Sequence, residues 1–132
     1  MRHPVLVELD SGVIPPSNED LGLEFLKAEN GVARFLWLPS ERSLNVVGTV
    51  QGGYIAAACD AAIGYALASR LENSEGFTTV SLSVTYHRPL HPVTSEACAE
   101  VVRVGRRTAY LEASLRMEGK LVASAVSTVL IL

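Results

Sequence analysis

The sequence predicts an α+β fold in which a curved antiparallel sheet wraps around one long helix. A long apolar stretch with helical spacing occupies residues 52–71, and four strand-like segments follow it to the end of the chain. A helix that is apolar nearly all round belongs at the centre of a fold, so the strands after it are expected to curve around it. With 132 residues, 48% of them hydrophobic, the chain suits a single domain over residues 1–132.

The first part of the chain is predicted to be a lead-in to this core. Prolines interrupt it at Pro4 and Pro15, and a short helical pattern follows. That pattern consists of Leu21, Leu23, Phe25 and Leu26, and a turn at Asn30 and Gly31 ends it. Branched and aromatic residues then predict a strand over 32–38, and a loop over 41–50 leads to the long helix.

The long helix carries a single acid in an otherwise apolar stretch. The glycine pair Gly52 and Gly53 opens it, and apolar side chains recur every fourth residue among many alanines. The recurring positions are Ile55, Cys59, Ile63 and Leu67. Burying an ionised carboxylate is costly unless the group is paired or hydrogen-bonded. Asp60 is therefore the first candidate for a functional residue.

The second half of the chain reads as four strands. Residues 78–87 alternate between apolar and polar side chains, which predicts a half-buried strand with Thr79 on its polar face. Three further strands are predicted over 95–104, 108–117 and 121–132. Turns at 105–107 and 118–120 join them as hairpins.

Charge and composition narrow the function classes. The net charge of −3 argues against a general nucleic-acid or anionic-membrane binder. An acid, Glu8, interrupts the N-terminus before any signal-like apolar core, which predicts a soluble, cytoplasmic protein. Cys59 and Cys98 show no disulfide framework and are expected to be reduced core thiols. The three histidines lack metal-ligand spacing, so no metal site is predicted.

One segment carries a resemblance to a known family. From Asn45 the chain continues with Gly48 three residues later, the pair Gly52 and Gly53, and Asp60 on the helix. In this order and spacing the segment resembles the hotdog-fold thioesterases, in particular the small acyl-CoA thioesterases of the phenylacetate-pathway (PaaI-like) type. The family has a histidine before the glycine pair, where this chain has Gln51. Glutamine donates and accepts hydrogen bonds but does not supply a titrating imidazole.

Two further segments extend the resemblance over most of the chain. Residues 79–89 are similar to a family strand that ends in tyrosine, two residues and proline, and Thr79 falls where some relatives hold the attacking water. Residues 104–108 and 118–123 are similar to the family's terminal hairpin. The resemblance implies hydrolysis of an acyl-CoA thioester to a free acid and coenzyme A, without a metal or redox cofactor, in a homodimer or a dimer of dimers.

The spacing along the helix adds a constraint of its own. Eight helical residues rise roughly 12 Å, so Asp60 and the Gly52 amide of one chain do not reach the same reacting atom. Two antiparallel helices from two chains would bring them together across a two-fold axis. The Gly52 amide would then polarise the thioester carbonyl, and Asp60 of the partner would act as general base or as nucleophile, assisted by Thr79 and Asn45.

Each candidate also has a purely structural interpretation. Asp60 could bond a neighbouring strand, the two glycines could simply start a helix, Asn45 could be a turn residue, and Thr79 could be an ordinary strand residue. Three arginines around a predicted hairpin could clamp the phosphates of coenzyme A or lie in solvent. These are Arg103, Arg106 and Arg107. Together with Gln51 and Gly53 they form the predicted substrate-binding set.

Two alternative functions remain open at this stage. With Gln51 in place of histidine, the chain could bind acyl-CoA without turning it over. A hotdog dehydratase would need a histidine paired with an acid, and His87 and His91 lie at a strand end and in a proline-rich turn. Cys59 is adjacent to Asp60 but points about 100° away on the helix, with no histidine in register to activate it.

Overall fold

The computed structural model describes residues 2–71 and 75–132 and places six strands in one antiparallel sheet with three helices. The helices are α1 (Pro4–Asp10), α2 (Pro16–Leu21) and α3 (Gly52–Ala68). The strands are β1 (Leu23–Glu29), β2 (Val32–Trp37), β3 (Phe77–Tyr86), β4 (Ser95–Val104), β5 (Thr108–Met117) and β6 (Lys120–Ile131). A 3-10 turn (Glu41–Ser43) lies in the loop before α3. Among the described residues, no helix is long and apolar enough to cross a membrane.

The strand order is β1-β2-β4-β5-β6-β3, with β1 and β3 at the two edges. One face of this sheet packs on α3, and its inward side chains form a core of small and branched residues. The predicted α+β fold, a curved antiparallel sheet around one long helix, is confirmed. The hairpin between β5 and β6 turns at Glu118 and Gly119, both at positive φ, which is the backbone that a tight two-residue hairpin requires.

The predicted helical pattern at 21–26 is wrong. Helix α2 ends at Leu21, because Gly22 adopts a left-handed φ of 83° and sits against the Leu38 carbonyl. The chain then enters β1, which pairs with β2 across the turn at Asn30 and Gly31. Both turn residues have positive φ. An Asn-Gly pair between two apolar segments is a strong hairpin signal, and here it outweighs the helical spacing.

Helix α1 was absent from the sequence prediction. The His3 side chain caps its first turn by accepting from the Val5 amide, and Pro4 occupies the first helical position. Leu6, on α1, is fully buried against the core. The histidine Nε2 lies 2.9 Å from the Glu75 carbonyl, which ties the N-terminus to the segment leading into β3. The lead-in is thus a packed part of the fold.

The long helix is buried on one face, whereas the sequence predicted burial nearly all round. The face toward the sheet is covered completely, but Ala57, Asp60, Ala61 and Gly64 remain half-exposed along one side. This spacing of three and four residues is one stripe of the helix surface. The stripe of small residues around Asp60 therefore faces away from the sheet core.

Candidate active site

Asp60 and Thr79 lie together. The Thr79 hydroxyl donates a 3.0 Å hydrogen bond to Oδ1 of Asp60, joining β3 to the half-exposed stripe of α3. A carboxylate accepts several hydrogen bonds, so the other oxygen keeps its capacity to accept one from water. The pair thus has the composition and geometry of a site that holds and deprotonates a water molecule.

A β-bulge decides which face Thr79 occupies. Thr79 pairs with Val129, but the next residue pair is Ser81 with Thr128, so Val80 is an extra residue on β3. Val129 is buried in the core between the sheet and the helix. Because paired residues of neighbouring strands share a face of the sheet, Thr79 also faces the helix. Strict alternation would have placed it on the opposite face, with Ser81, as the sequence predicted.

The N-terminus of α3 presents backbone donors, the amides of Gly52 and Gly53, for which the described residues supply no acceptor. Gln51 is the N-cap, and its side chain forms no capping hydrogen bond with any residue in the described part of the chain. The first amides of a helix have no intrahelical acceptor, and they lie at the positive end of the helix dipole. Gly52 and Gly53 thus offer N–H groups to an oxygen that develops negative charge.

Tyr86, at the end of β3, contacts this helix start. Its hydroxyl donates a 2.7 Å hydrogen bond to the Gly52 carbonyl, and a Cβ on Gly52 would lie 3.0 Å from the ring. A pocket of about 370 Å³ adjoins the contact. It is lined by Val50, Gly52, Ile55, Tyr86, His87, Arg88, Pro89 and Leu90. Tyr86 was not among the predicted catalytic and substrate-binding residues; its place on the apolar face at the end of the strand was the available signal for a role at the site.

Asn45 shapes the loop before the helix. Its side-chain oxygen accepts from the amides of Val47 and Thr49, each at 3.1 Å, and its amide donates to the Thr49 hydroxyl at 3.0 Å. Gly48 has a φ of 84° within this turn. In the described part of its own chain, Asn45 is exposed and bonds only within this loop. Asn45 is close to the Gln51 N-cap along the chain. Its hydrogen bonds do not connect it with Asp60 or Thr79 in the described structure.

The three predicted phosphate-binding arginines lie around the turn between β4 and β5 and are exposed. Arg103 lines a pocket of about 220 Å³ with Thr108 and Tyr110. The pairing of Ala109 with Val129, and of Val129 with Thr79, puts this turn at the end of the sheet where β3 begins. The Gly52 amide lies near the other end of β3, so one chain does not bring the two groups together.

The cysteines differ in environment. Burial, with a contribution from the charge of Asp60, raises the pKa of Cys59 to about 12, so this thiol is protonated at neutral pH and is not a nucleophile. Cys98 lies half-buried beside Glu100 and Glu112, where burial also raises its pKa. Both thiols are free, but the prediction of two core thiols is correct only for Cys59.

Comparison with known proteins identifies the family. Residues 47–124 match the model of the thioesterase superfamily, which is more than half of the chain. The chain therefore belongs to the thioesterase superfamily. No curated protein sequence matches it as a relative.

Solved structures agree with this membership. An asparagine-to-aspartate variant of the phenylacetic acid degradation protein PaaI from Thermus thermophilus is 34% identical, covering 89% of this chain and 100% of that one, with a TM-score of 0.83. A phenylacetic acid degradation-related protein from Ralstonia eutropha is 26% identical, covering 94% and 97%, with a TM-score of 0.87. A hypothetical thioesterase protein from Streptococcus pneumoniae, solved with coenzyme A, is 24% identical over 83% and 85%, with a TM-score of 0.77, and shows the shared fold. The sequence-based identification as a PaaI-like hotdog thioesterase, a thioester hydrolase, is confirmed.

Proposed function

We propose that this chain hydrolyses an aromatic or medium-chain acyl-CoA thioester to the free acid and coenzyme A, with Asp60 and Thr79 supplying the water-activating half of the site. The observation that carries the proposal is the 3.0 Å hydrogen bond from the Thr79 hydroxyl on β3 to Asp60 on the uncovered stripe of α3. Membership of the thioesterase superfamily supplies the reaction class.

The reaction divides between two groups of atoms. Water adds to the thioester carbonyl while Asp60 accepts its proton, and the carbonyl electron pair moves onto oxygen, where the Gly52 and Gly53 amides stabilise it. The C–S bond then breaks, the electron pair leaves with sulfur, and the proton passes to the departing thiolate. No metal or redox cofactor enters this scheme.

A second route uses Asp60 as a nucleophile that forms a mixed anhydride, which water then hydrolyses. A single turnover in ¹⁸O-labelled water separates general-base catalysis from the nucleophilic route in which water attacks the Asp60 carbonyl of the anhydride. General-base catalysis puts solvent oxygen into the first molecule of acid released. Nucleophilic catalysis with attack of water on the carboxylate of Asp60 puts solvent oxygen into the protein instead.

The site is proposed to form in a homodimer, or in a dimer of dimers. In one chain, Asp60 lies eight residues along α3 from Gly52, roughly 12 Å, which is too far for a shared reacting atom. The stripe of small residues around Asp60 would permit close approach of a second helix. Strand β3 is an edge strand, and the exposed apolar side chains Val46, Val47 and Val80 lie on it or in the loop before α3.

The substrate class follows from the relatives and from charge. Two similar proteins are named for phenylacetic acid degradation, and a third structural neighbour was solved with coenzyme A. Arg106 and Arg107 are exposed on a turn of an otherwise acidic protein and suit phosphate groups. A cytoplasmic location, where acyl-CoA esters are available, is part of the proposal.

The test measures thiol release from phenylacetyl-CoA, benzoyl-CoA and straight-chain acyl-CoA esters. We expect Asp60→Asn to lower kcat by about a thousandfold, because the carboxylate is the base or nucleophile. Asp20→Asn, at an exposed position on α2, is the matched control and is expected to keep full activity. Tight binding of every ester with no thiol release would overturn the proposal. It would favour an acyl-CoA-binding protein without turnover, the alternative that Gln51 in place of histidine suggests.

A further inference from the structure

Tyr86 makes the one side-chain hydrogen bond that the described structure shows with the backbone at the first residue of α3. Its hydroxyl donates to the Gly52 carbonyl at 2.7 Å, and its ring lies where a Cβ on Gly52 would be, 3.0 Å from Cζ and from the hydroxyl oxygen. A tyrosine thus holds the carbonyl of one of the two glycines whose amides face the proposed oxyanion.

Holding that carbonyl also fixes an amide. The Gly52 carbonyl and the Gly53 N–H belong to one planar, trans peptide unit, so the two groups point in opposite directions. Fixing the carbonyl on the tyrosine therefore fixes the direction of the Gly53 N–H. It also limits rotation about the backbone of Gly52 itself, on which the direction of the Gly52 N–H depends.

This restraint matters because no other side chain of the described structure forms a hydrogen bond with the backbone of residues 51–53; the Tyr54 amide, 3.0 Å from the Gln51 carbonyl, is the local backbone restraint. Two consecutive glycines have the largest backbone freedom of any residue pair. The Gln51 side chain does not cap the helix within the described structure. Backbone hydrogen bonds from Val50 to the Leu90 carbonyl, 2.9 Å, and from Gln51 to the Ser43 carbonyl, 2.8 Å, hold the chain up to the N-cap. Tyr86 extends that restraint one residue further, to the peptide that carries the donor.

We propose that Tyr86 is a positioning residue that preorganises the Gly52 and Gly53 amides to bind the oxyanion. This inference rests on the proposed function and goes beyond it, since it assigns the tyrosine a part in the chemical step through the glycine peptide. Electrostatic stabilisation of an oxyanion is effective when its donors are fixed before the reaction begins. The hydroxyl acts on the rate, whereas the ring forms a wall of the adjoining 370 Å³ pocket and contributes to binding.

The two parts of the side chain give separable effects. Tyr86→Phe removes the hydrogen bond and keeps the wall, so we expect kcat to fall about tenfold while KM changes less than twofold. Tyr86→Leu also removes part of the wall and is expected to raise KM. Both variants are measured with the best substrate of the acyl-CoA panel, alongside the thermal midpoint of unfolding.

Tyr65→Phe is the matched control. This substitution also removes one hydrogen bond, the 3.3 Å contact in which the Tyr65 hydroxyl accepts from the Asn18 amide. Tyr65 lies on α3 thirteen positions after Gly52, away from the helix start. A loss of kcat that followed general destabilisation would appear in this control too. We expect Tyr65→Phe to lower the unfolding midpoint and leave kcat unchanged.

A double-mutant cycle with Gly52→Ala tests the path of the effect. The new Cβ would displace the ring and break the same hydrogen bond. Adding Tyr86→Phe to Gly52→Ala is therefore expected to lower kcat by less than a further twofold. Full additivity of the two losses, or wild-type kcat in Tyr86→Phe while Asp60→Asn is inactive, would overturn the inference and leave the proposed function standing. Activity retained in Asp60→Asn would contradict the proposed function itself.

Discussion

Thr79 reaches Asp60 because the strand that carries it contains one extra residue. The 3.0 Å hydrogen bond from the Thr79 hydroxyl to Oδ1 of Asp60 requires the threonine to face the helix. Leu82, Val84 and Tyr86 face the helix as well, and regular alternation would put Thr79 on the other side. The bulge at Val80 removes this conflict, so that one strand presents both a hydroxyl to Asp60 and a phenol to Gly52.

Removal of the Thr79 hydroxyl should weaken catalysis without unfolding the protein. We expect Thr79→Ala to lower kcat about tenfold, because the carboxylate loses the donor that orients it, and to lower the free energy of unfolding by no more than about 1 kcal/mol. Thr79→Ser should restore most of the rate. Thr78→Ala, next to it on the exposed outer face, should behave as wild type in the same thiol-release assay. Equal losses at both positions would contradict a specific role for Thr79.

Burial of Cys59 should make stability depend on pH in the alkaline range. The pKa of this thiol rises from 9.0 to about 12 in the folded chain, chiefly through burial. The folded state therefore keeps a proton that the unfolded state releases. The contribution to stability is complete below pH 9 and is lost as the pH rises toward about 12.

Cys59→Ala should therefore flatten that alkaline slope. Urea unfolding at pH 8 and pH 10.5 measures it, with Cys98→Ala as the control at the less buried thiol. We expect the drop in the free energy of unfolding between the two pH values to be smaller in Cys59→Ala than in wild type or in Cys98→Ala. Thiol release should be unaffected by Cys59→Ala at neutral pH, since the protonated thiol is not a nucleophile. An unchanged alkaline slope would mean that Cys59 is accessible to water.

Features with strong local signals were predictable from the sequence. The bounds of β4 and β5 agree with the prediction, because clear alternation and glycine turns delimit them. The glycine pair followed by an acid on an apolar helix likewise identified the start of α3 and Asp60. Helix α1 was missed, since short helices owe their conformation to packing, as the complete burial of Leu6 shows. Strand β1 was missed because the helical spacing of its apolar residues was preferred to the hairpin signal of Asn30 and Gly31.

The geometry of the site depended on details beyond periodicity. A bulge adds one residue without any change in composition, and for that reason the facing of Thr79 was wrong although the residue itself was named. The contact of Tyr86 with Gly52 joins residues 34 positions apart, and no spacing rule connects them. Cys98 was predicted to be a core thiol, whereas its strand position places it on the outer face of the sheet.

The arginine turn between β4 and β5 can be tested for a role in recognising the nucleotide. If Arg106 and Arg107 hold phosphates, replacing both with alanine should raise KM for an acyl-CoA ester about tenfold and leave kcat unchanged. The matching thioester of N-acetylcysteamine lacks the nucleotide, so its kinetics should be the same in wild type and variant. A similar loss with both substrates would show that the turn supports the fold. No loss with either would mean that the arginines simply lie in solvent.

A shared site predicts that two impaired variants restore activity when they are combined. Asp60→Asn keeps the helix start intact, and Gly52→Ala keeps the acid but disturbs the amide, because its Cβ would lie 3.0 Å from the Tyr86 ring. If each site takes Gly52 from one chain and Asp60 from the other, a mixed dimer contains one intact site and one doubly defective site. Equal amounts that are unfolded together and refolded give mixed dimers in half of the population, so activity should return to about a quarter of the wild-type value. The same two variants, refolded separately and then assayed at once after mixing, provide the control. Activity that stays at the level of the separate variants, in a mixture shown to contain mixed dimers, would place both residues in one chain's site and would contradict the two-chain arrangement.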